Sequence, residues 1–476
     1  MSVAAVDAKI GAGIERVVSG HHRRRLQRLG KLAALDTPAG GYASGPPPVR
    51  DGNRMEVLVD GETALPRIAD ELERARSHVH LAGWFFTPEF RLRPDGPGLR
   101  ELLAELAGRV EVRVLSWAGS PLPLFHPDRK QGRELREALM RGTRIRCALD
   151  SRERPMHCHH EKLVIVDDRV AFVGGIDLTD YCGRRFDRRD HPARDSLGWH
   201  DAACRLEGPI VRDVAEHFRL RWEAVAGEPL PEPTEQPAAG DVELQLVRTV
   251  PERIYPGLRG GDFTILESYL RALRSAEKLV YLENQFLWSP EVNEVLIDKL
   301  RHPPSDDFRI LVLLPTHPNN GGDHTRGQIG RLVEADDGAG RFLACTLHQR
   351  SGADPRPVYV HAKIGIVDDE WLTLGSANLN EHSLFNDTEV NVATWKGELA
   401  RATRLQLWAE HLERRADELP ADPARAVDEL WRPLAEEQLA RREAGHQLTH
   451  RLLRLPHVSR RSAALLGPLN GLLVDG

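Results

Sequence analysis

Two segments of one chain carry histidine, lysine and aspartate at a repeated spacing. "HHEKLVIVDDRVAFVGGIDL" and "VHAKIGIVDDEWLTLGSANL" each contain the pattern HxKxxxxD. His160, Lys162 and Asp167 in the first align with His361, Lys363 and Asp368 in the second, always 201 residues apart. Gly174 and Gly375 keep the same separation, as do Leu81 and Leu282. The chain has only eight lysines and two stand in these motifs, so well under about 0.1 chance matches are expected. Ordinary buried histidines do not account for the duplicated spacing.

Two imidazoles and two ammonium groups converging on one place suit a phosphodiester. Lysines neutralise the non-bridging oxygens as charge builds. One imidazole attacks phosphorus to form a phosphohistidine. The other protonates the leaving alcohol, then activates water or a second alcohol. Motif symmetry does not choose between them. The lysines supply the positive charge, so no metal and no cofactor is expected.

The run "EKLVIV" reads as a buried strand, on which residues i and i+2 share a face. His160 and Lys162 therefore project together. "DDR" then turns the chain into "VAFVG", with Asp167 in the bend and of the opposite parity. Asp167 and Asp368 complete the catalytic motif, yet they are expected to orient backbone or neighbours rather than react. Ser376 and Asn378, in "GSANLN", are expected to donate hydrogen bonds to the phosphate. Their counterparts are Gly175, also expected to contact the substrate, and Asp177, so the site is not perfectly symmetric. A histidine nucleophile needs a carboxylate to hold its tautomer. The candidates are Asp201 in "WHD" and Glu389 in "DTEVNV", each following its own motif. His157, Cys158 and His159 allow a zinc reading with His160, but no second Cys/His cluster completes it. They read better as lining of the cleft mouth or as plain strand residues. Trp84 reads as a pocket wall or core residue.

The elements that must position these groups alternate. "ALPRIADELERARS" reads as a helix before the strand "HVHLAGWFF". "DFTILESYLRALRSA" reads as a helix before the strands "KLVYLENQF", "FRILVLLP" and "RFLACTL". This rhythm, stated twice, argues for α/β layers built from one duplicated unit. We read an N-terminal helix and Pro/Gly linker over 1–53 and a first repeat over 54–228. An acidic, Pro-rich linker follows over 229–241, then a second repeat over 242–415 and a helical tail over 416–476. The fold class is α/β: two pseudo-twofold-related mixed sheets side by side, flanked by helices. One chain supplies both halves of the site, so a monomer is expected.

Composition bounds the rest. The chain has 476 residues, 41% hydrophobic and 29% charged, as in a soluble globular protein. Its net charge of −6 argues against a general nucleic-acid binder. A nuclease would need a continuous basic groove and a steep salt dependence. Five cysteines without a CxxC pair point to a reducing compartment. No apolar signal core opens the chain, and no stretch approaches the roughly 20 apolar residues that span a bilayer. A cytoplasmic protein is expected. The basic stretches "HHRRRLQR" and "THRLLRLPHVSRRSAALLGPLNGLL" allow peripheral contact with an anionic membrane, or simply form solvated charged faces.

These residues resemble the phospholipase D superfamily, whose defining feature is the duplicated HxKxxxxD. "HEKLVIVDDRVAFVGGIDL", "GRRFD" and "WHDAACRLEGPIVRDVAEHFRLRW" are similar to the first half of eukaryotic-type phospholipases D. "YLENQFLW" and "VYVHAKIGIVDDEWLTLGSANLNEHS" are similar to the second. The resemblance covers roughly residues 54–415. It implies a phospholipid partner, hydrolysis to phosphatidate and a head-group alcohol, and transfer to an alcohol acceptor. It implies His160 as nucleophile and His361 as acid/base. It also implies that Asn284 or Gln285 touches the site. A cardiolipin-synthase-like transferase, with phosphatidylglycerol as acceptor, is the alternative it offers, and a nuclease the weaker one. The chain departs from the family at "NEHSLF", where Arg more often precedes Ser and His382 stands here.

Overall fold

A computed structural model describes residues 3–455, apart from 123–124, 182, 184, 186, 193–196, 318–321 and 350–355. The first repeat forms a seven-stranded sheet in the order Arg146–Asp150, Glu111–Trp117, His78–Gly83, Leu163–Val166, Val170–Gly174, Ala202–Glu207, Val49–Val59. Its first three strands run parallel, and the rest pair antiparallel. The second repeat reproduces order and sense: Phe342–His348, Arg309–Leu313, Leu279–Glu283, Ile364–Val367, Trp371–Gly375, Glu389–Thr394, Val242–Val250. The sheets join through antiparallel pairing of Val49 with Gln245 and Arg50 with Leu244.

Strand parity decides which layer each side chain enters. Val164 and Val166 pack beneath the helices Asp60–Glu73 and Leu99–Leu106. Leu163 and Ile165 face the middle of the molecule, joined there by Ile364 and Ile366 of the second copy. The helices Ile210–Ala226 and Gly397–His411 add Phe218, Trp222, Leu407 and Trp408 to that central core. The second outer layer uses Thr264–Ser275 and Pro290–Arg301 over Val280, Leu282 and Ile310.

The edges differ from expectation. The strand Val49–Val59 begins inside the stretch read as linker. The tail holds the helix Arg432–Glu443 but then a strand, Leu452–Arg454, which pairs with Phe342–His348. The remaining tail residues, 456–476, lie outside the described residues. Two residues of the N-terminal basic run are committed internally. His22 lies 2.8 Å from Glu291 and stacks on Phe385, and Arg25 donates to Glu252 and Asn386. Cys147, Cys158, Cys204 and Cys345 are buried and unbridged, and Cys182 lies outside the described residues. No described helix is long and apolar enough to cross a membrane.

Candidate active site

Each motif histidine sits where the two copies exchange backbone bonds. His160 N–H donates to Thr388 O at 3.0 Å, and His361 N–H donates to His200 O at 2.7 Å. Tyr359 and Val360 run parallel to Trp199 and His200, and His159 bridges to Thr388. The segment entering each motif is thus laid against the segment leading to the other copy's carboxylate. The His160 and His361 rings come to 6.3 Å between centroids, nearly perpendicular.

That exchange crosses the carboxylates. His160 Nδ1 lies 3.0 Å from Glu389 Oε1, and His361 Nδ1 lies 2.6 Å from Asp201 Oδ2. Both candidates stand beside a histidine, but each serves the opposite copy. A carboxylate on Nδ1 fixes the tautomer and assigns chemistry to Nε2. Burial pushes the Glu389 carboxyl up to about 8, against the opposing pull of Lys162. It likewise pushes Asp201 up to about 7, with Lys363 opposing. Burial and then Lys363 hold the His361 imidazole well below its ordinary range. At 2.6 Å, His361 Nδ1 and Asp201 Oδ2 are within close hydrogen-bond distance.

The two lysines are held alike. Lys162 and Lys363 each donate to the carbonyl of their own motif histidine, two residues back on the same strand face. Beyond that the halves differ. Lys162 pairs with Asp177 at 3.2 Å, while Lys363 reaches Gln285 Oε1 at 3.4 Å. Asn378, the counterpart of Asp177, donates to the same Gln285 oxygen at 3.3 Å. Burial pulls the Lys363 ammonium down to about 7, opposed by Asp201.

The predicted helpers fall into three groups. Gln285 and Asn378 join the Lys363 side of the site. Asn284 instead accepts the N–H groups of Phe286 and Leu379 and so holds the loop beneath it. Ser376 gives its hydroxyl to Glu389, as does Ser383, so these serines bind the carboxylate rather than lie ready as phosphate donors. At the matching position Gly175 leaves the space filled by Asp201: a Cβ there would meet Asp201 Oδ1 at 2.1 Å. Gly175 therefore makes room for a carboxylate rather than presenting a donor of its own. Asp167 accepts the N–H groups of Arg76, Ser77 and His78, and Asp368 those of Glu277, Lys278 and Leu279. Neither belongs to the His–Lys cluster.

The zinc reading of the first motif fails on direction. His157 turns to His382, with their Nδ1 atoms 3.0 Å apart, and His159 reaches Thr388 and Asp150. His382 also stacks on Trp288 at 6.0 Å. Trp84 packs against Trp117 and Cys158 in a small apolar cluster. Sequence reasoning missed the crossing of the carboxylates, the role of Ser383, and Arg185. The Arg185 guanidinium lies 3.2 Å over the Trp199 ring, which in turn packs 4.5 Å from His361. The fragment "GRRFD" was its only trace in the sequence.

A family model described as phospholipase D matches residues 346–452. The chain is 24% identical over 463 residues to phospholipase D A of Dictyostelium discoideum, covering 77% of this chain and 36% of that protein. It is 25% identical over 571 residues to phospholipase D alpha 2 of Arabidopsis thaliana, covering 82% and 69%. These matches support the phospholipase D superfamily as the family of this chain. Another relative in the superfamily comparison, the major cardiolipin synthase ClsA of Bacillus subtilis, is 25% identical over 392 residues, with 76% and 72% covered. The chain spans about a third of the length of the Dictyostelium protein. The crystal structure of phosphatidylserine synthase from Haemophilus influenzae shares the fold, with a TM-score of 0.51 at 12% identity over 82% of this chain and 93% of that one.

Proposed function

We propose that the chain cleaves the head-group phosphodiester of glycerophospholipids through a phosphohistidine, and passes the phosphatidyl group to water or an alcohol. The observation that carries this is the pair of crossed His–carboxylate dyads, their rings 6.3 Å apart, with a lysine beside each. Nε2 of His160 attacks phosphorus, and the bond to the head-group oxygen breaks. The leaving oxygen takes its proton from His361, whose proton affinity rises as the anionic phosphate enters. His361 then removes a proton from the acceptor, whose oxygen attacks phosphorus and releases His160. Lys162 and Lys363 hold the non-bridging oxygens throughout. The assignment of nucleophile to His160 follows the family resemblance.

The match to a cardiolipin synthase, extending over 72% of that protein, favours a second reading in which a phospholipid alcohol is the acceptor. Parallel incubations separate the outcomes. Mixed phospholipids with a short alcohol give phosphatidyl-alcohol if the first reading holds. Phosphatidylglycerol alone yields cardiolipin if the second does. Intact lipid beside cleaved DNA would overturn both.

A further inference from the structure

Behind Asp201 lies a second cluster that the phosphodiester chemistry does not use. Asp60, His191, His200 and Glu410 are all at least nine-tenths buried, and their ligand-type atoms lie within 4.8 Å of one another. His200 Nδ1 is 3.1 Å from Asp60 Oδ1 and 3.3 Å from Glu410 Oε1. His191 Nε2 is 3.6 Å from Asp60 Oδ2 and 3.4 Å from the same Glu410 oxygen. Yet His200 Nδ1, His191 Nε2, Asp60 Oδ2 and Glu410 Oε1 have no hydrogen-bond partner. Buried polar atoms are rarely left so.

These separations have a simple meaning. Four nitrogen or oxygen ligands at about 2.0–2.1 Å from a tetrahedral ion stand roughly 3.4 Å from one another; Glu410 Oε1 keeps that separation from both imidazole nitrogens, while Asp60 meets each nitrogen with a different oxygen. The outer nitrogen of His200 supports the same geometry. His200 Nε2 lies 2.9 Å from Glu283, so Nδ1 is the nitrogen turned toward the cluster. His191 Nδ1 lies 3.4 Å from Asp187 without a formed hydrogen bond, so a carboxylate faces its outer nitrogen but does not fix it. Metal-bound imidazoles are held by such carboxylates on the opposite nitrogen. Two carboxylates also neutralise a divalent ion where an uncompensated charge is costly.

We propose that Asp60, His191, His200 and Glu410 bind a divalent transition-metal ion of the zinc type, with Glu283 orienting the His200 imidazole. The ion is structural. It ties three residues of the first copy to Glu410 on the helix Gly397–His411 of the second. It also stands directly behind the acid/base dyad, because Asp201 N–H donates to Asp60 Oδ1 at 3.1 Å and His361 N–H donates to His200 O.

The test is metal content of the full chain, grown with Zn²⁺ and dialysed, measured by plasma mass spectrometry. One equivalent is expected in the wild type and in His382→Ala, which alters the separate His157–His382–Asp387 group. None is expected in His191→Ala. Glu283→Gln should keep the fold and weaken Zn²⁺ by roughly 10- to 100-fold. Co²⁺ in place of Zn²⁺ should give the visible absorption of a tetrahedral site. A chelated wild type should regain its melting temperature on addition of Zn²⁺, a readout independent of turnover. A wild type that takes up no Zn²⁺ and melts identically with chelator would overturn the proposal. The cluster would then be an imidazolium–carboxylate network. A full equivalent retained by His191→Ala would overturn it too.

Discussion

Gly175 and Ser376 occupy one position of the repeat and solve one problem in two ways. Ser376 ties down Glu389 with a hydroxyl, while Gly175 yields its side-chain space to Asp201. Gly175→Ala is therefore expected to displace Asp201, lowering kcat by about 100-fold and costing about 1–3 kcal/mol of stability through overpacking. Ser376→Ala should cost roughly tenfold or less, because Ser383 still holds Glu389. Steady-state kinetics beside thermal melting checks both. Lys363 adds a pH dependence. Its ammonium is pulled down to about 7 by burial, so it loses its proton and its hold on phosphate as pH rises through neutrality. The alkaline limb of kcat/KM is expected near that value, far below the ordinary lysine range, since kcat/KM reports the free chain. Lys363→Arg keeps the charge and should move that limb upward, even at a reduced rate. The histidines and lysines were legible in the sequence because spacing on a strand fixes their common face. The partner of each carboxylate was not, because that choice is made across 160 residues in one dyad and 229 in the other by tertiary pairing.

The hairpin after each motif shows what the third motif residue does. Asp167 and Asp168 have φ of 56° and 51°, and Asp368 and Asp369 of 55° and 57°. Positive φ at both central residues is the geometry of a type I′ turn, which aspartate tolerates better than most side chains. The first aspartate of each turn then accepts three backbone N–H groups at the start of the neighbouring strand. Strand parity in the sequence had already separated these residues from the His–Lys face. Asp368→Ala is expected to cost about 2–4 kcal/mol of stability, as three amides lose a charged acceptor, while the rate per folded molecule stays near wild type. Chemical denaturation set beside active-site titration checks this. The tail strand Leu452–Arg454 was less legible. "RLLRL" is too short to separate helix from strand, and only the exposed edge of Phe342–His348 decides it.

The two sheets share one central core. Leu163, Ile165, Ala171 and Val173 of the first copy belong to the same buried cluster as Ile364, Ile366, Leu372 and Leu374 of the second. The duplication and the layer order were readable from the constant offset of 201 residues. How the halves face each other was not, since no local pattern encodes a pseudo-twofold axis. Neither half should therefore fold or work alone. Residues 1–241 and 242–476 expressed separately are expected to be insoluble or inactive, and to recover activity when co-expressed. Activity from one half alone would show that the site needs no partner copy. The most direct test of the account is mass-spectrometric peptide mapping of the wild-type chain, quenched in alkali during turnover of a short-chain phospholipid. A phosphatidyl adduct on His160 is expected, because attack by that imidazole precedes transfer to the acceptor, and His361→Ala should slow formation of the adduct because the leaving oxygen then lacks its acid. His160→Ala should lose at least about 1,000-fold in rate. An adduct-free His160 peptide, together with a His160→Ala chain that still turns over, would contradict it.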